Sequence, residues 1–592
     1  MVNKIVDDLF HFSPEIRLIF VQAPNPENAR DGILVFLKKQ IEANVDDVVN
    51  LSGLRFSLRL SCARALRQFI ARRTAAITEF DMVKELWLLV QGREMELPQP
   101  FSRAFVEDFS AVLAGLTGNS GIYDSFEADL LPGREGALVR SEILNDLFAR
   151  SEERICGYKS GLDPEIIERR SENRRRICRN FGVSEKEFSD YHWQLENIIR
   201  NADKLKTNVY LAEEEFAAVE SARKNNLPFG ITPFYASLFG ARGDDYDRAI
   251  RAQVIPPASY TEKIAEDQGK RRQSLDFMRE ADTSPVDLVT RRYARIAIFK
   301  PYNTCSQICV YCQRNWEIDD AYVPQALASR EKIEKAIKWI KKNPAITEVL
   351  VTGGDPLVMK DQDIGFILES LAKISTIRRI RIGSRTPVVL PQRFTDALVD
   401  ILARYHQPGT REISLVTHFE HCAEVTPEAM QAVQKLRMRG MGVYNQAVFT
   451  FFNSRRFELS ALRKALRMIG VDPYYTFNAK GKAETADYRV PIARLQQEAK
   501  EEARLLPGIE RTDEPVYNVP GLGKNYLRAE QNHLLLTILP DGRRVYEFHP
   551  WEKFIRHARS YIHRDVPIFD YLQRLASAGE DISEYQSIYY YF

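Results

Sequence analysis

Residues 294–312 read Ala294-Arg-Ile-Ala-Ile-Phe299-Lys-Pro-Tyr-Asn-Thr-Cys305-Ser-Gln-Ile-Cys309-Val-Tyr-Cys312, an apolar run that leads into three cysteines within eight positions. The run opens a series. Apolar or β-branched stretches recur at 348–352, 378–382, 412–416, 443–449 and 474–478, separated by helical patterns over 329–342, 361–374, from Thr395, from Thr426 and over 457–469. Thr395 and Thr426 are good N-caps, and Gly440 and Gly470 good helix stops. Six strand–helix units in succession predict an α/β chain with a parallel sheet, either an open barrel or a doubly wound sheet.

The residues able to do chemistry fall at the ends of those strands. The cysteines follow strand one, Gly353-Gly354-Asp355-Pro356 strand two, Ser384-Arg385-Thr386 strand three and His418-Phe-Glu-His421 strand four. Asn445-Gln446 lie within strand five and Lys480 follows strand six. Parallel barrels keep their chemistry at the carboxyl ends of their strands, so this convergence marks a candidate active site.

Around this core the chain is ordinary in bulk. It has 592 residues, 44% hydrophobic, with 83 Lys+Arg against 81 Asp+Glu. The balanced charge gives no reason to expect nucleic acid as a partner, and no apolar run approaches membrane-spanning length. The acidic start, Met1-Val-Asn-Lys-Ile-Val-Asp-Asp, lacks a secretory pattern, so a reducing cytoplasm is expected. Seven cysteines in so long a chain exclude a disulfide scaffold, and Cys62, Cys156, Cys178 and Cys422 are scattered. Residues 1–116 read as amphipathic helices, including 81–91 and 100–116, and 117–137 as a turn-rich linker. Arginine runs at 55–73 and 169–179 read as solvated helix faces.

Three thiolates on one loop suit a cubane [4Fe–4S] cluster with one iron left open, whereas electron-transfer clusters take four protein ligands. No fourth cysteine lies nearby, which argues against a closed zinc site; the plain alternative is three packed core cysteines. The glycine pair lets backbone approach a ligand closely, and the Asp355 carboxylate accepts from an amino group, though the same four residues also make an ordinary tight turn. Lys524 follows Gly521-Leu-Gly523 before a predicted hairpin, 534–539 and 543–548. A Walker A loop is excluded there, because positions 518 and 525 are both Asn. His418-x-x-His421-Cys422 reads either as a metal half-site or as site lining.

The cysteine spacing resembles that of radical S-adenosylmethionine (SAM) enzymes, and further segments narrow the resemblance to the lysine 2,3-aminomutase family. They are Tyr191-His-Trp-Gln194, Gly230-Ile-Thr-Pro-Phe-Tyr-Ala-Ser-Leu238, Gln253-Val-Ile-Pro256, Thr352-Gly-Gly-Asp355, Ile382-Gly-Ser-Arg-Thr-Pro-Val-Val-Leu-Pro-Gln-Arg393, Thr417-His-Phe419, Asn445-Gln446 and Pro520-Gly-Leu-Gly-Lys524. The similarity runs from about residue 185 to about 550. It implies a partial (β/α)6 TIM-like radical SAM barrel over 286–490, preceded by a helical collar over 181–285 and a helical extension of unassigned role over 1–180. A C-terminal pyridoxal phosphate (PLP) segment with a β-hairpin follows over 491–592.

The resemblance also assigns roles. Cys305, Cys309 and Cys312 hold the [4Fe–4S] cluster. Gly353, Gly354, Asp355, Ser384, Arg385 and His418 lie against SAM. Lys524 is the lysine that attaches PLP, with Arg292, Arg295, Asn445 and Gln446 about the cofactor; for the two arginines, strand-flanking charge is the alternative. Arg314 grips the substrate α-carboxylate. Lysine-specific members place two aspartates against the substrate ε-ammonium, and those positions fall here on Lys480 and Asn518, as in the glutamate 2,3-aminomutase variant. A cation there repels an ammonium and attracts a carboxylate. The resemblance further implies a small electron donor such as flavodoxin or ferredoxin and a homo-oligomer. No zinc is expected, since no cysteine follows Cys422. The expected activity is an amino-acid 2,3-aminomutase acting on an acidic amino acid; the rivals are a lysine 2,3-aminomutase and a non-catalytic iron–sulfur interaction protein.

Overall fold

A computed structural model describes residues 2–42, 53–123, 132–240, 245–266, 276, 278–314, 317–323, 325–479, 483–528, 533–550 and 559–592. Lys480 and the neighbouring Lys482 lie outside the described residues, as does 124–131 of the expected linker. Contacts divide the chain into two compact units. One comprises Met1–Ala149, Val490–Glu501 and Asn525–Phe592; the other comprises Arg150–Arg489 and Glu502–Lys524.

The larger unit is built on one sheet. Its strands are β1 (Val289–Thr290), β2 (Ile296–Tyr302), β3 (Glu348–Gly353), β4 (Arg379–Gly383), β5 (Glu412–Thr417), β6 (Gly442–Phe449), β7 (Asp472–Asn478), β8 (Glu514–Val519) and β9 (Gly523–Tyr526), paired in that order. β1 is antiparallel to β2, and β2 through β8 are parallel neighbours. Strand order follows chain order without the reversal of a doubly wound sheet, so the winding is that of a barrel. Six of the parallel strands match the predicted ones to within a few residues. The seventh, β8, is an addition.

Side-chain alternation splits the sheet into two faces. Ala297, Phe299, Val349, Val351, Ile380 and Ile382 are buried on one, and helices cover it. The helix Arg330–Lys341 buries Ile333, Ala336 and Ile340, and Asp396–Arg404 buries Leu398, Val399 and Leu402, both at helical spacing. Ser329, Thr395 and Thr426 accept from Lys332 N, Leu398 N and Ala429 N at 3.3, 3.2 and 3.1 Å, as N-caps should. Gly440 and Gly470 end their helices at φ +79° and +87°. Residues of the other face, among them Ile298, Lys300, Leu350, Tyr444 and Gln446, are only half-buried and line the lumen.

One arginine run departs from the solvated reading. Arg170, on the helix Pro164–Phe181, is 6% exposed and donates to Glu428 at 2.9 Å. Its aliphatic stem packs into the unit while the head keeps a carboxylate partner.

The smaller unit contains the helices Gly53–Phe69, Met82–Val90 and Arg103–Thr117, together with an antiparallel sheet of β10 (His533–Ile538), β11 (Arg544–Phe548) and β12 (Tyr561–Arg564). The predicted hairpin is therefore present, with a third strand added. Arg544 is fully buried and donates to both Asp108 oxygens at 2.9 and 2.7 Å and to the Tyr589 carbonyl at 2.6 Å. Among the described residues no helix is long and apolar enough to cross a membrane.

Candidate active site

The cysteine loop begins where β2 ends, and the two glycines at the end of β3 receive it. Gly354 N donates to Tyr302 O at 2.7 Å and Asp355 N to Thr304 O at 2.8 Å. A Cβ on Gly354 would stand 2.1 Å from Thr304 O, and one on Gly353, at φ +120°, 2.4 Å from Tyr302 O. The pair thus lies in close approach to the loop's own backbone.

Asp355 extends the brace. It is 5% exposed and accepts from Ser384 Oγ at 2.6 Å, Leu357 N at 3.1 Å and Arg385 N at 2.9 Å. Burial raises its pKa against these hydrogen bonds, which favour the carboxylate. Its three partners fix the turn after β4, and with it the side chain of Arg385.

That side chain reaches the cysteines. Arg385 Nη1 donates to Cys309 Sγ at 2.7 Å, and Nη2 donates to Glu424 Oε1 at 2.7 Å, Tyr235 OH at 3.3 Å and Gln253 Oε1. Tyr235 OH and Gln253 Nε2 also donate to Glu424 Oε1, at 2.7 and 3.0 Å. Glu424 is fully buried and supplies the carboxylate that pays for burying the guanidinium. Arg385 Nε donates to the carbonyl of the half-buried His418 at 3.2 Å.

The three thiols fit a cluster. All are half-buried. Burial, Asp355 and the other two sulfurs push the Cys305 thiol well up, and burial holds Cys309 at about 11 despite Arg385. Mutual repulsion of this kind is relieved when metal replaces the protons. N–H donors already face two of the sulfurs, from Arg385 to Cys309 and from Arg314 N to Cys312 at 3.4 Å. Among the described residues no three His, Cys, Asp or Glu side chains are arranged to hold a single metal ion. His421 is buried with Nε2 3.5 Å from Glu458, and Cys422 is buried beside it.

Beyond the cysteines, on the lumen face of β2, Arg314 Nη1 and Lys300 Nζ donate to Glu280 Oε2 at 2.7 and 2.9 Å, and Gln313 Nε2 to Oε1 at 3.0 Å. Arg314 Nη2 is bonded to Glu317. Burial works to raise the Glu280 pKa, but Arg314 and Lys300 outweigh it and hold it at about 2. The expected carboxylate grip therefore carries two internal carboxylates.

Lys524, on β9, stands among residues of the amino-terminal and middle parts of β3, β4 and β7. Its Nζ lies 3.9 Å from the Tyr475 ring centre, 5.9 Å from that of Tyr474 and 6.0 Å from that of Tyr293. A register shift between β6 and β7 at Asn445/Gln446 lets consecutive tyrosines approach one amine. Burial and the charge of Arg381 lower the amine's pKa to about 7, against Glu348. An amine about half uncharged at neutral pH is a competent nucleophile for a carbonyl.

The other expected PLP residues divide. Arg292 stands beside this loop: a Cβ on Gly523 would lie 3.1 Å from its Cδ. Its buried Nε has no hydrogen-bond partner among the described residues, which suits an anion. Arg295 is exposed where β2 begins, its carbonyl accepting from Thr347 N at 2.9 Å. Asn445 is 4% exposed and holds Phe419 N and O at 2.7 and 3.0 Å, while Gln446, on the opposite face, is half-buried toward the lumen. Asn518 is half-buried on the lumen face of β8.

Sequence reading gave no role to Tyr235, Gln253, Glu424, Glu280, Lys300 or Glu317. Tyr235 and Gln253 lie in the quoted family segments, which marked them as noteworthy but gave them no partner. Glu280 and Lys300 carried no such signal.

A cysteine loop braced at the mouth of a parallel, sequentially wound barrel defines a radical SAM protein, and residues 299–456 match the model of the Radical SAM superfamily. The chain belongs to the KamA family. It is 40% identical over 613 aligned residues to a KamA family protein of Methanocaldococcus jannaschii, spanning 99% of this chain and 97% of that one. The helical extension is thus shared with that relative. The chain is 31% identical to a glutamate 2,3-aminomutase of Clostridioides difficile, over 59% of this chain and 82% of that one. It is 34% identical to an L-lysine 2,3-aminomutase of Bacillus subtilis, over 53% and 63%. Membership of the radical SAM superfamily implies a [4Fe–4S] cluster and SAM.

Proposed function

We propose that the chain is a 2,3-aminomutase that moves the α-amino group of an acidic amino acid, glutamate foremost, to the β-carbon, with SAM, a [4Fe–4S] cluster and PLP. The observations that carry the reading are a three-cysteine loop braced by backbone hydrogen bonds from Gly354 and Asp355 and, on a strand of the same sheet, a buried lysine amine with its pKa lowered to about 7. The aminomutase relatives support the reaction class. When bound, the cluster and SAM supply a carbon radical able to take a hydrogen atom, and PLP a carbonyl that accepts the migrating amino group.

The chain's own residues do the rest. Lys524 offers that carbonyl an amine about half of which is uncharged at neutral pH. Arg292 offers an unused guanidinium N–H beside it. Arg314 takes the α-carboxylate, and the strand walls exclude water and other hydrogen donors. Acid preference rests on Lys480 and Asn518 standing where lysine-specific members carry aspartates. An electron donor of the flavodoxin or ferredoxin kind and a homo-oligomer complete the reading.

Anaerobic incubation with SAM, PLP, reductant and a panel of amino acids tests it, β-glutamate from glutamate being the expected product. Lys480→Ala should abolish most glutamate turnover; if only lysine turned over, and Lys480→Ala left that intact, the acid preference would fall.

A further inference from the structure

Arg314 is the one residue of the expected substrate site whose guanidinium is already occupied by carboxylates on two sides. Nη1 holds Glu280, Nη2 holds Glu317, and the buried Nε has no partner among the described residues. The side edge of a guanidinium, Nε with Nη2, is where a carboxylate docks through two parallel hydrogen bonds. Here that edge is half used.

The charge count is the second observation. Lys300 and Arg314 face Glu280 and Glu317, with Lys300 Nζ 2.9 Å from Glu280 and 4.0 Å from Glu317. With Asp276 also acting on Lys300, the cluster has no surplus positive charge with which to hold a further carboxylate while both glutamates stay. A carboxylate brought into so enclosed a place must displace one already there.

The two glutamates are not equally held. Glu280 takes three side-chain donors, and its backbone is tied into a turn, with N donating to Asp276 Oδ1 at 2.8 Å and O accepting from Ser284 Oγ at 2.7 Å and Thr283 N at 3.0 Å. Its side chain is 11% exposed, that of Glu317 22%. Glu317 follows Arg314 by three residues and covers the edge that carries the orphan Nε.

We infer that Glu317 is an internal competitor that the substrate's α-carboxylate displaces from Arg314, and that Glu280 is the positioning residue that holds Arg314, with Lys300, for the exchange. The inference rests on Arg314 being the carboxylate-binding residue of the function proposed above. Its consequence is a filter: a ligand without a carboxylate leaves Glu317 in place, and admission requires a group that matches it bond for bond.

The test compares two charge-neutralising substitutions by titration calorimetry of L-glutamate and L-lysine, with SAM withheld, into the full chain reconstituted with its cluster and PLP. Glu317→Gln should tighten binding about tenfold, and Glu280→Gln should weaken it by about as much, each on the scale of one charge-assisted hydrogen bond. Apparent KM should move in the same opposed directions. Glu280→Asp, which keeps the charge, should fall between wild type and Glu280→Gln, and serves if the latter fails to fold. A general field effect would tighten binding in both Gln variants; that result, or no change in either, overturns the inference. Opposed shifts with lysine in place of glutamate would overturn the acid preference and leave the inference standing. Failure of wild type to bind either amino acid would overturn both.

Discussion

The amine of Lys524 lies 3.9 Å from the centre of the Tyr475 ring, with Tyr474 and Tyr293 about 6 Å away. Its pKa is lowered from 10.5 to about 7 by burial and by Arg381. Uptake of PLP by the full chain should therefore rise through an apparent pKa near 7 and level off above it. The folded amine binds a proton less readily than the unfolded one, so this group adds stability as pH rises from about 7 to 10.5 and adds none below that window. Lys524→Met should flatten that rise and abolish the PLP absorbance band, as spectrophotometry and denaturant titration at several pH values would read.

Gly354 admits the cysteine loop at van der Waals contact. Gly354→Ala puts a methyl within 2.1 Å of Thr304 O and should cost about 2–3 kcal/mol of overpacking. Iron content after reconstitution should fall with it. Gly508→Ala, at a site with nothing within 4 Å, should leave iron content and stability unchanged.

Arg385 donates to the sulfur of Cys309 and is held there by Glu424. Such a donor stabilises the more negative, reduced cluster. Arg385→Gln should therefore shift the cluster's reduction potential to a more negative value, by about 60 mV for the loss of ~1.5 kcal/mol on one electron. Glu424→Gln should shift it the same way by less. Potentiometric titration followed by electron paramagnetic resonance checks both.

The smaller unit stakes its stability on a different buried pair. Arg544 and Asp108 are each 1% exposed and exchange two hydrogen bonds. Asp108→Asn leaves a buried guanidinium without its counter-charge and should cost about 3–5 kcal/mol. Replacing both by apolar residues of similar volume should recover most of it, as denaturant unfolding would show.

The sheet was readable because its strands and helices are each coded locally: runs of β-branched residues, threonine caps, glycine stops. β8 was not, because Glu514-Pro-Val-Tyr-Asn-Val519 makes no helix after itself and acquires its identity only by pairing with Tyr475–Phe477. Cys305, Cys309 and Cys312 stood out in the sequence by their spacing, and Lys524 by the likeness of its glycine loop to the family's. The support around them did not. Glu424 lies 39 residues beyond Arg385, and Glu280 lies 34 before Arg314; single acids in unremarkable surroundings gain meaning only when the fold brings them to a guanidinium. The glycine pair shows a subtler gap: its close packing on Thr304 could not be read from the sequence.

The measurement that tests the account most directly is anaerobic turnover by the reconstituted full chain supplied with SAM, PLP, reductant and either glutamate or lysine, with chiral separation of the products. The account predicts 5′-deoxyadenosine and β-glutamate from glutamate, and neither from the Lys524→Ala variant. Reductive cleavage of SAM without any β-amino acid, or β-lysine as the sole product, would contradict it.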